Sequence, residues 1–123
     1  MENKVPSKED FSRAKVAAKE DDRGLNVVRQ NLLLKFKDKG LHELMVVYSR
    51  RNDDFCAYVF FSLDRQILDA RRTGLTSEIE TAVIEELETA GRIVRQNDNV
   101  RFEIDSHENV ERNYNVDYYM RLR

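Results

Sequence analysis

Residues 100–123 read VRFEIDSHENVERNYNVDYYMRLR, and their interpretation decides the fold. Val100, Phe102 and Ile104 alternate with Arg101, Glu103 and Asp105, the two-residue period of a strand with one wet face. Val116, Tyr118, Met120 and Leu122 alternate with Asp117, Tyr119, Arg121 and Arg123, and this predicts a second strand of the same kind. The polar connection from Ser106 to Tyr114 either caps a short helix or carries function. Two such ribbons predict an antiparallel sheet that is wet on one side.

Upstream of this segment, Leu44–Tyr48 and Phe55–Phe61 are apolar runs on either side of Ser49-Arg50-Arg51-Asn52-Asp53-Asp54, the signature of a hairpin. Both parities of the second run are apolar: Phe55, Ala57, Val59 and Phe61 on one side, Cys56, Tyr58 and Phe60 on the other. Such a strand is central, or something covers its second face. The spacing predicts helix over 7–39, opened by a capping box at Ser7-Lys8-Glu9-Asp10 and broken near Gly24. Its stripe runs through Phe11, Ala14, Ala18, Leu25, Val28, Leu32 and Phe36, although alternation within 32–37 suits a strand equally well. Ser62 caps a short helix through Leu63, Ile67 and Leu68 that Thr73-Gly74 stops. A further helix starts at Thr76 or Ser77 with the box Ser77-Glu78-Ile79-Glu80, buries Ile79, Val83, Leu87 and Ala90, and ends near Gly91. The expectation is one α+β domain over 7–123 behind a flexible terminus at 1–6. It has a mostly antiparallel sheet of about four strands, with helices packed on one face.

A chain of 123 residues with 41% hydrophobic and 36% charged residues suits one core under a highly charged surface. No apolar run approaches the ~18 residues that span a bilayer, and Met1–Ser7 lacks the apolar core of a secretory signal. A lone cysteine, Cys56, rules out an intrachain disulfide and fits a reducing compartment, so the cytoplasm is expected. The net charge of −2 argues against nucleic acid as a partner. Charge is nevertheless segregated: residues 25–50 carry +3, whereas 75–91 carry −5 through Glu78, Glu80, Glu85, Glu86 and Glu88 with no basic residue. That block is a solvated helix face, or it steers a basic partner.

Asp105, His107 and Glu108 supply carboxylate and imidazole groups that suit a metal or an acid–base pair. Against this, Ser106 is placed to cap a helix whose positive end Glu108 favours. Consecutive residues of an extended chain point to opposite sides, so Asp105, Ser106 and His107 cannot form a nucleophilic relay together. No phosphate-binding glycine loop and no CxxC or HExxH pattern occurs. No cofactor is expected. Tyr119, Arg121 and Arg123 share the wet parity of the expected last strand, and Tyr and Arg are enriched where protein contacts carry most of their energy.

Phe102, Ile104-Asp105-Ser106-His107-Glu108-Asn109-Val110, Asn113-Tyr114 and Tyr118-Tyr119 together resemble the carboxyl-terminal part of small bacterial immunity-type proteins. The likeness covers about the last fifth of the chain. It implies a single cytosolic α+β domain that binds and occludes a toxin without catalysing a reaction, and it carries no site residue over. The leading expectation is therefore a non-enzymatic protein-interaction module that uses the acidic helix or the Tyr/Arg surface. A small-ligand domain with a pocket around Tyr48, Tyr58 and Phe60 is the alternative. A hydrolase using Asp105, His107 and Glu108 is a third reading, and a homodimer through a surplus apolar sheet face is a fourth.

Overall fold

A computed structural model describes residues 21–93 and 100–123. The expected capping box at Ser7, the stripe residues Phe11, Ala14 and Ala18, and the flexible 1–6 segment lie outside these residues. The expected turn at Gln96–Asn99 does too.

Helix α1 spans Leu25–Phe36 and buries Leu25, Val28, Leu32 and Phe36, the stripe that the spacing picks out. The choice between helix and strand for this segment is resolved as helix. Gly24 starts it at φ 76° and Gly40 closes the following 3-10 turn at φ 95°. Glycine suits position 40 because its positive φ strains any side chain, and a Cβ there would also sit 2.7 Å from the Gln66 amide and displace it. The hairpin forms as β1 (Leu41–Ser49) and β2 (Asp54–Phe61). Helix α2 (Asp64–Thr73) and helix α3 (Leu75–Thr89) then lead back to β3 (Val100–Ser106). Helix α4 (His107–Tyr114) and the five-residue α5 (Tyr118–Leu122) follow.

Two helix starts differ from the expected caps. The Leu63 N–H, not Ser62, opens α2, and the Gln66 side chain accepts its bond at 2.8 Å. Helix α3 begins directly after Gly74, two residues before the expected box at Ser77, with no side-chain cap.

The α+β class holds, but the sheet differs from expectation in three respects. It has three strands among the described residues, in the order β1-β2-β3. It is mixed: β1 runs antiparallel to β2, but β3 runs parallel to it, because α2 and α3 form a crossover that returns the chain in the same direction. Finally, residues 118–122 are helical. Asp117 caps this turn by accepting from the Met120 N–H at 3.2 Å, and Asn115 and Val116 take positive φ just before it, which ends any extended run.

The core lies between one sheet face and α1–α3. Leu44, Phe55, Ala57, Val59 and Phe61 meet Leu32, Phe36, Ile79, Val83 and Leu87 there. The opposite parity of β2 is also buried at Cys56 and Phe60, so the strand is central and covered on both sides. Helix α5 is part of that second cover, so the helices do not all lie on one face. The side chain of Leu44 is fully buried while Leu34 on α1 is 68% exposed. Leu44→Ala should therefore cost about 2–5 kcal/mol and Leu34→Ala within about 0.5 kcal/mol, as read from denaturant unfolding of the full chain.

Candidate functional site

The second face of the sheet carries a cluster of aromatic and ionisable side chains assembled from four elements. In the pairing of β1 with β2, Leu41 faces Phe61 and Glu43 faces Phe60, which leaves His42 as the extra residue of a bulge. On the other side of β2, Ser106 pairs with Phe61, so His107 follows immediately past the same end of the sheet. The two imidazoles stack with ring centroids 4.0 Å apart and planes 26° apart. Tyr118 of α5 completes the group. Its ring packs edge-on against Phe60 at 4.8 Å and lies over His107 at 5.9 Å.

The hydrogen bonds select one tautomer of the neutral His107 ring. His107 Nε2 lies 3.0 Å from the Glu111 carboxylate, which can only accept, so that nitrogen carries the proton. His107 Nδ1 lies 2.6 Å from the Tyr118 hydroxyl, and in the neutral ring it accepts from the phenol. The Tyr118 phenol is pushed up to about 12 by burial first and then by the charges of Glu43, Glu111 and Asp105. It therefore stays protonated as the donor. His42 is held below the usual imidazole range by burial and by the adjacent His107, against a partial pull from Glu43 and Glu111.

Helix α5 is fixed by a second anchor. Arg121 Nε donates to Asp105 Oδ2 at 2.5 Å, and its Nη2 lies 3.6 Å from Glu103. Burial works against this guanidinium, but the bond to Asp105 and the charges of Asp105 and Glu103 outweigh it and raise its pKa. These anchors hold the helix against an unfavourable hinge. Asn115 and Val116 are both left-handed, at φ 53° and 64°, and for a β-branched residue that conformation costs about 1–2 kcal/mol.

The expected triad of Asp105, His107 and Glu108 does not converge. Asp105 accepts from the Ser106 N–H, Asn109 Nδ2 and Arg121. Glu108 turns the other way and accepts from the Asp64 N–H at 2.8 Å, capping α2. Ser106 caps α4 through a bond from the Asn109 N–H at 3.0 Å and donates its hydroxyl proton to Asp64, whose carboxyl is held low by that bond and then by Arg112. Only His107 of the three enters the cluster. Among the described residues no group of three or more His, Cys, Asp or Glu side chains is arranged to hold a metal ion.

The other expected surfaces also rearrange. Tyr119, Arg121 and Arg123 do not share a face once the segment is helical. Tyr119 is 80% exposed, Arg123 is exposed, and Arg121 turns inward. The acidic residues of α3 point in several directions: Glu78 pairs with Lys39 at 3.3 Å, Glu86 accepts from Asn31, and Glu85 faces solvent. Glu80 and Glu88 are half-buried. Tyr48 packs on Phe55 and bonds to Asp53, so it does not join Tyr58 and Phe60 around one pocket. Cys56 is buried, and burial pushes its thiol up, away from the thiolate form.

Sequence reasoning missed His42, Glu111 and Tyr118. Of these only Tyr118 left a trace, as an apolar-parity residue of the supposed strand. No protein-family model matches the chain, and no curated protein or solved structure matches it.

A phenol that ionises later when folded than when unfolded stabilises the fold below pH 10, and that contribution is lost as the pH rises from 10 to about 12. Tyr118→Phe should remove the latest step of the tyrosinate absorbance titration. It should also flatten the alkaline decline in stability measured by urea unfolding.

Proposed function

We propose that this chain is a non-catalytic protein-interaction module that presents α5 to a protein partner, in the manner of the immunity-type proteins its carboxyl-terminal segment resembles. The single observation carrying this reading is the two-sided construction of α5. Its inner side chains, Tyr118 and Arg121, anchor it to the sheet, while Tyr119 is 80% exposed beside Val116 and Met120, which are at least half exposed. An exposed Tyr and Met next to an arginine, Arg123, match the residue types that concentrate binding energy at interfaces. Helix α5 is too short to be stable unaided, so anchoring it in advance lowers the ordering cost of association. The partner that fits is a protein surface with an apolar pocket wide enough for the Tyr119 ring. Binding there works by occlusion and needs no reacting group on this chain.

The electrostatics of the cluster support a positioning role for His107. A Glu–His–Tyr arrangement can activate a hydroxyl, but burial of Tyr118, and then the carboxylates around it, oppose the phenolate that such chemistry needs. The acidic helix α3 is the weaker contact surface, since Glu78 and Glu86 are engaged with Lys39 and Asn31. No described helix is long and apolar enough to cross a membrane, and we place the interaction in the cytoplasm, where the lone thiol of Cys56 would stay reduced.

A photo-crosslinking side chain placed at Tyr119, with the exposed Leu68 as control position, should trap one discrete protein in native cells at position 119 only. Tyr119→Ala should weaken that complex by about 2 kcal/mol or more, roughly thirtyfold in Kd. Equal crosslinking at both positions, or unchanged affinity of Tyr119→Ala, overturns the reading.

A further inference from the structure

We propose that this chain pairs with a second copy of itself along the outer edge of β1, with Val47 on the two-fold axis. The contact is a sheet edge, separate from the α5 surface, and it stands or falls independently of that reading.

Strand β1 has β2 on one side and no described strand on the other. In an antiparallel ladder the N–H and C=O of one residue point the same way, and successive residues alternate. Leu44 shows which residues of β1 point outward. Its C=O accepts from Arg29 Nε at 3.0 Å and its N–H donates to Glu43 Oε1 at 2.9 Å, so side chains occupy both groups from outside the hairpin. Arg29 and Glu43 are themselves paired at 2.7 Å, and together they clamp the edge shut at this position. By alternation Val46 and Tyr48 also turn their backbone outward, and no described side chain or loop bonds to it there. The open edge is therefore short, running from the Arg29–Glu43 clamp to the turn that follows Ser49.

That shortness selects the occupant. A longer extended segment of another protein would run into the clamp. A second β1, antiparallel about a two-fold axis, fits because its own turn begins where the clamp stands. In the register that uses both open residues, Val46 of each copy exchanges N–H and C=O bonds with Tyr48 of the other. Val47 then meets Val47 of the second copy at a non-hydrogen-bonded position, where Cα atoms approach to about 4.5 Å. Val47 is 46% exposed, and the two valines cover each other on the axis. The strand Leu41–Ser49 contains no Pro or Lys, the residue types that guard a free edge. The other edge, β3, carries Arg101, Glu103 and Asp105 at alternate positions, and such charges discourage pairing.

Charge fits the same register, which brings Arg51 of one copy opposite Glu43 of the other. Arg51 is exposed and has no ion pair among the described residues. Glu43 bonds to Arg29 and to the Leu44 N–H through Oε1 alone, which leaves Oε2 for the second copy. A parallel, in-register pair would instead set Glu43 beside Glu43. The paired stretch is small, so reversible association in the range of about 1–100 µM is expected.

Sedimentation equilibrium of the full chain should show a dimer that forms below about 100 µM. Val47→Lys sets two ammonium groups against each other on the axis and should raise Kd about hundredfold or more. Leu68→Lys, at an exposed position on α2, should leave it unchanged. The register is tested by Val47→Cys under mild oxidation, in a Cys56→Ala background because Cys56 lies opposite position 47 within the hairpin. Cα atoms about 4.5 Å apart suit a disulfide, so a covalent dimer should form, whereas Met45→Cys in the same background should stay unlinked. Circular dichroism checks folding, and either test decides alone where the other variant is misfolded. A chain that remains monomeric at about 100 µM overturns the pairing. A dimer that survives Val47→Lys overturns it too, as does crosslinking at position 45 that equals or exceeds that at 47.

Discussion

Strand β2 has no polar face. Phe55, Ala57, Val59 and Phe61 point one way, Cys56 and Phe60 the other, and all six are buried. Covering a side chain of phenylalanine size is worth about 1.5–3 kcal/mol, so the fold has to supply a layer on each side of this strand. Helices α1 and α3 provide one, with four and five buried residues respectively. The second layer is thinner. Over Phe60 it includes the ring of Tyr118, and the chain reaches that position only by turning sharply after α4. The demand of a central strand for a second cover thus explains why a segment too short to be a helix on its own is nonetheless helical and docked.

The polar side chains beside that cover are engaged with one another, and this shapes what the surface can do. Asp105, at the end of β3, spends its oxygens on its neighbour's N–H, on Asn109 and on Arg121. Glu108 and Ser106 are spent on the first turns of α2 and α4. In a sequence these residues look like a reaction centre because catalysis and capping draw on the same side chains, Ser, Asp and Glu. Here they join β3, α2 and α4 into one rigid corner. The imidazole pair sits beside this corner, with His107 held between Tyr118 and Glu111.

Much of the helical layer was legible in the sequence because burial on α1 follows a single 3.6-residue stripe, and Leu25, Val28, Leu32 and Phe36 could be named from spacing alone. The hairpin and the two-sided character of β2 were legible for a similar reason, since both parities of 55–61 are apolar. The final segment was not. Seven residues alternating from Val116 to Leu122 satisfy the strand period, and α5 is barely one turn, too short for a helical period to show against it. The decisive signals were backbone ones: Asp117 as a cap, and two left-handed residues before it. Arg121 was assigned to water by parity, yet it lies largely inside because Asp105 and Glu103 wait beneath it, a contact no local pattern encodes. The direction of β3 was equally hidden, because alternation reports which face is wet and says nothing about which way a strand runs beside its neighbour.

That unreadable direction is what assembles the site. Antiparallel pairing sets Leu41 of β1 opposite Phe61, and parallel pairing sets Ser106 of β3 opposite the same residue. The start of β1 and the end of β3 are thereby brought to one end of the sheet, although 65 positions separate His42 from His107. Had β3 run antiparallel, as alternation alone suggests, Ser106 would lie at the far end of β2, and His107 with it. The bulge then releases His42 from the ladder and lets its ring turn toward its counterpart. The cluster is thus a product of strand direction and one register slip, and α5 is held down by residues that topology brings together.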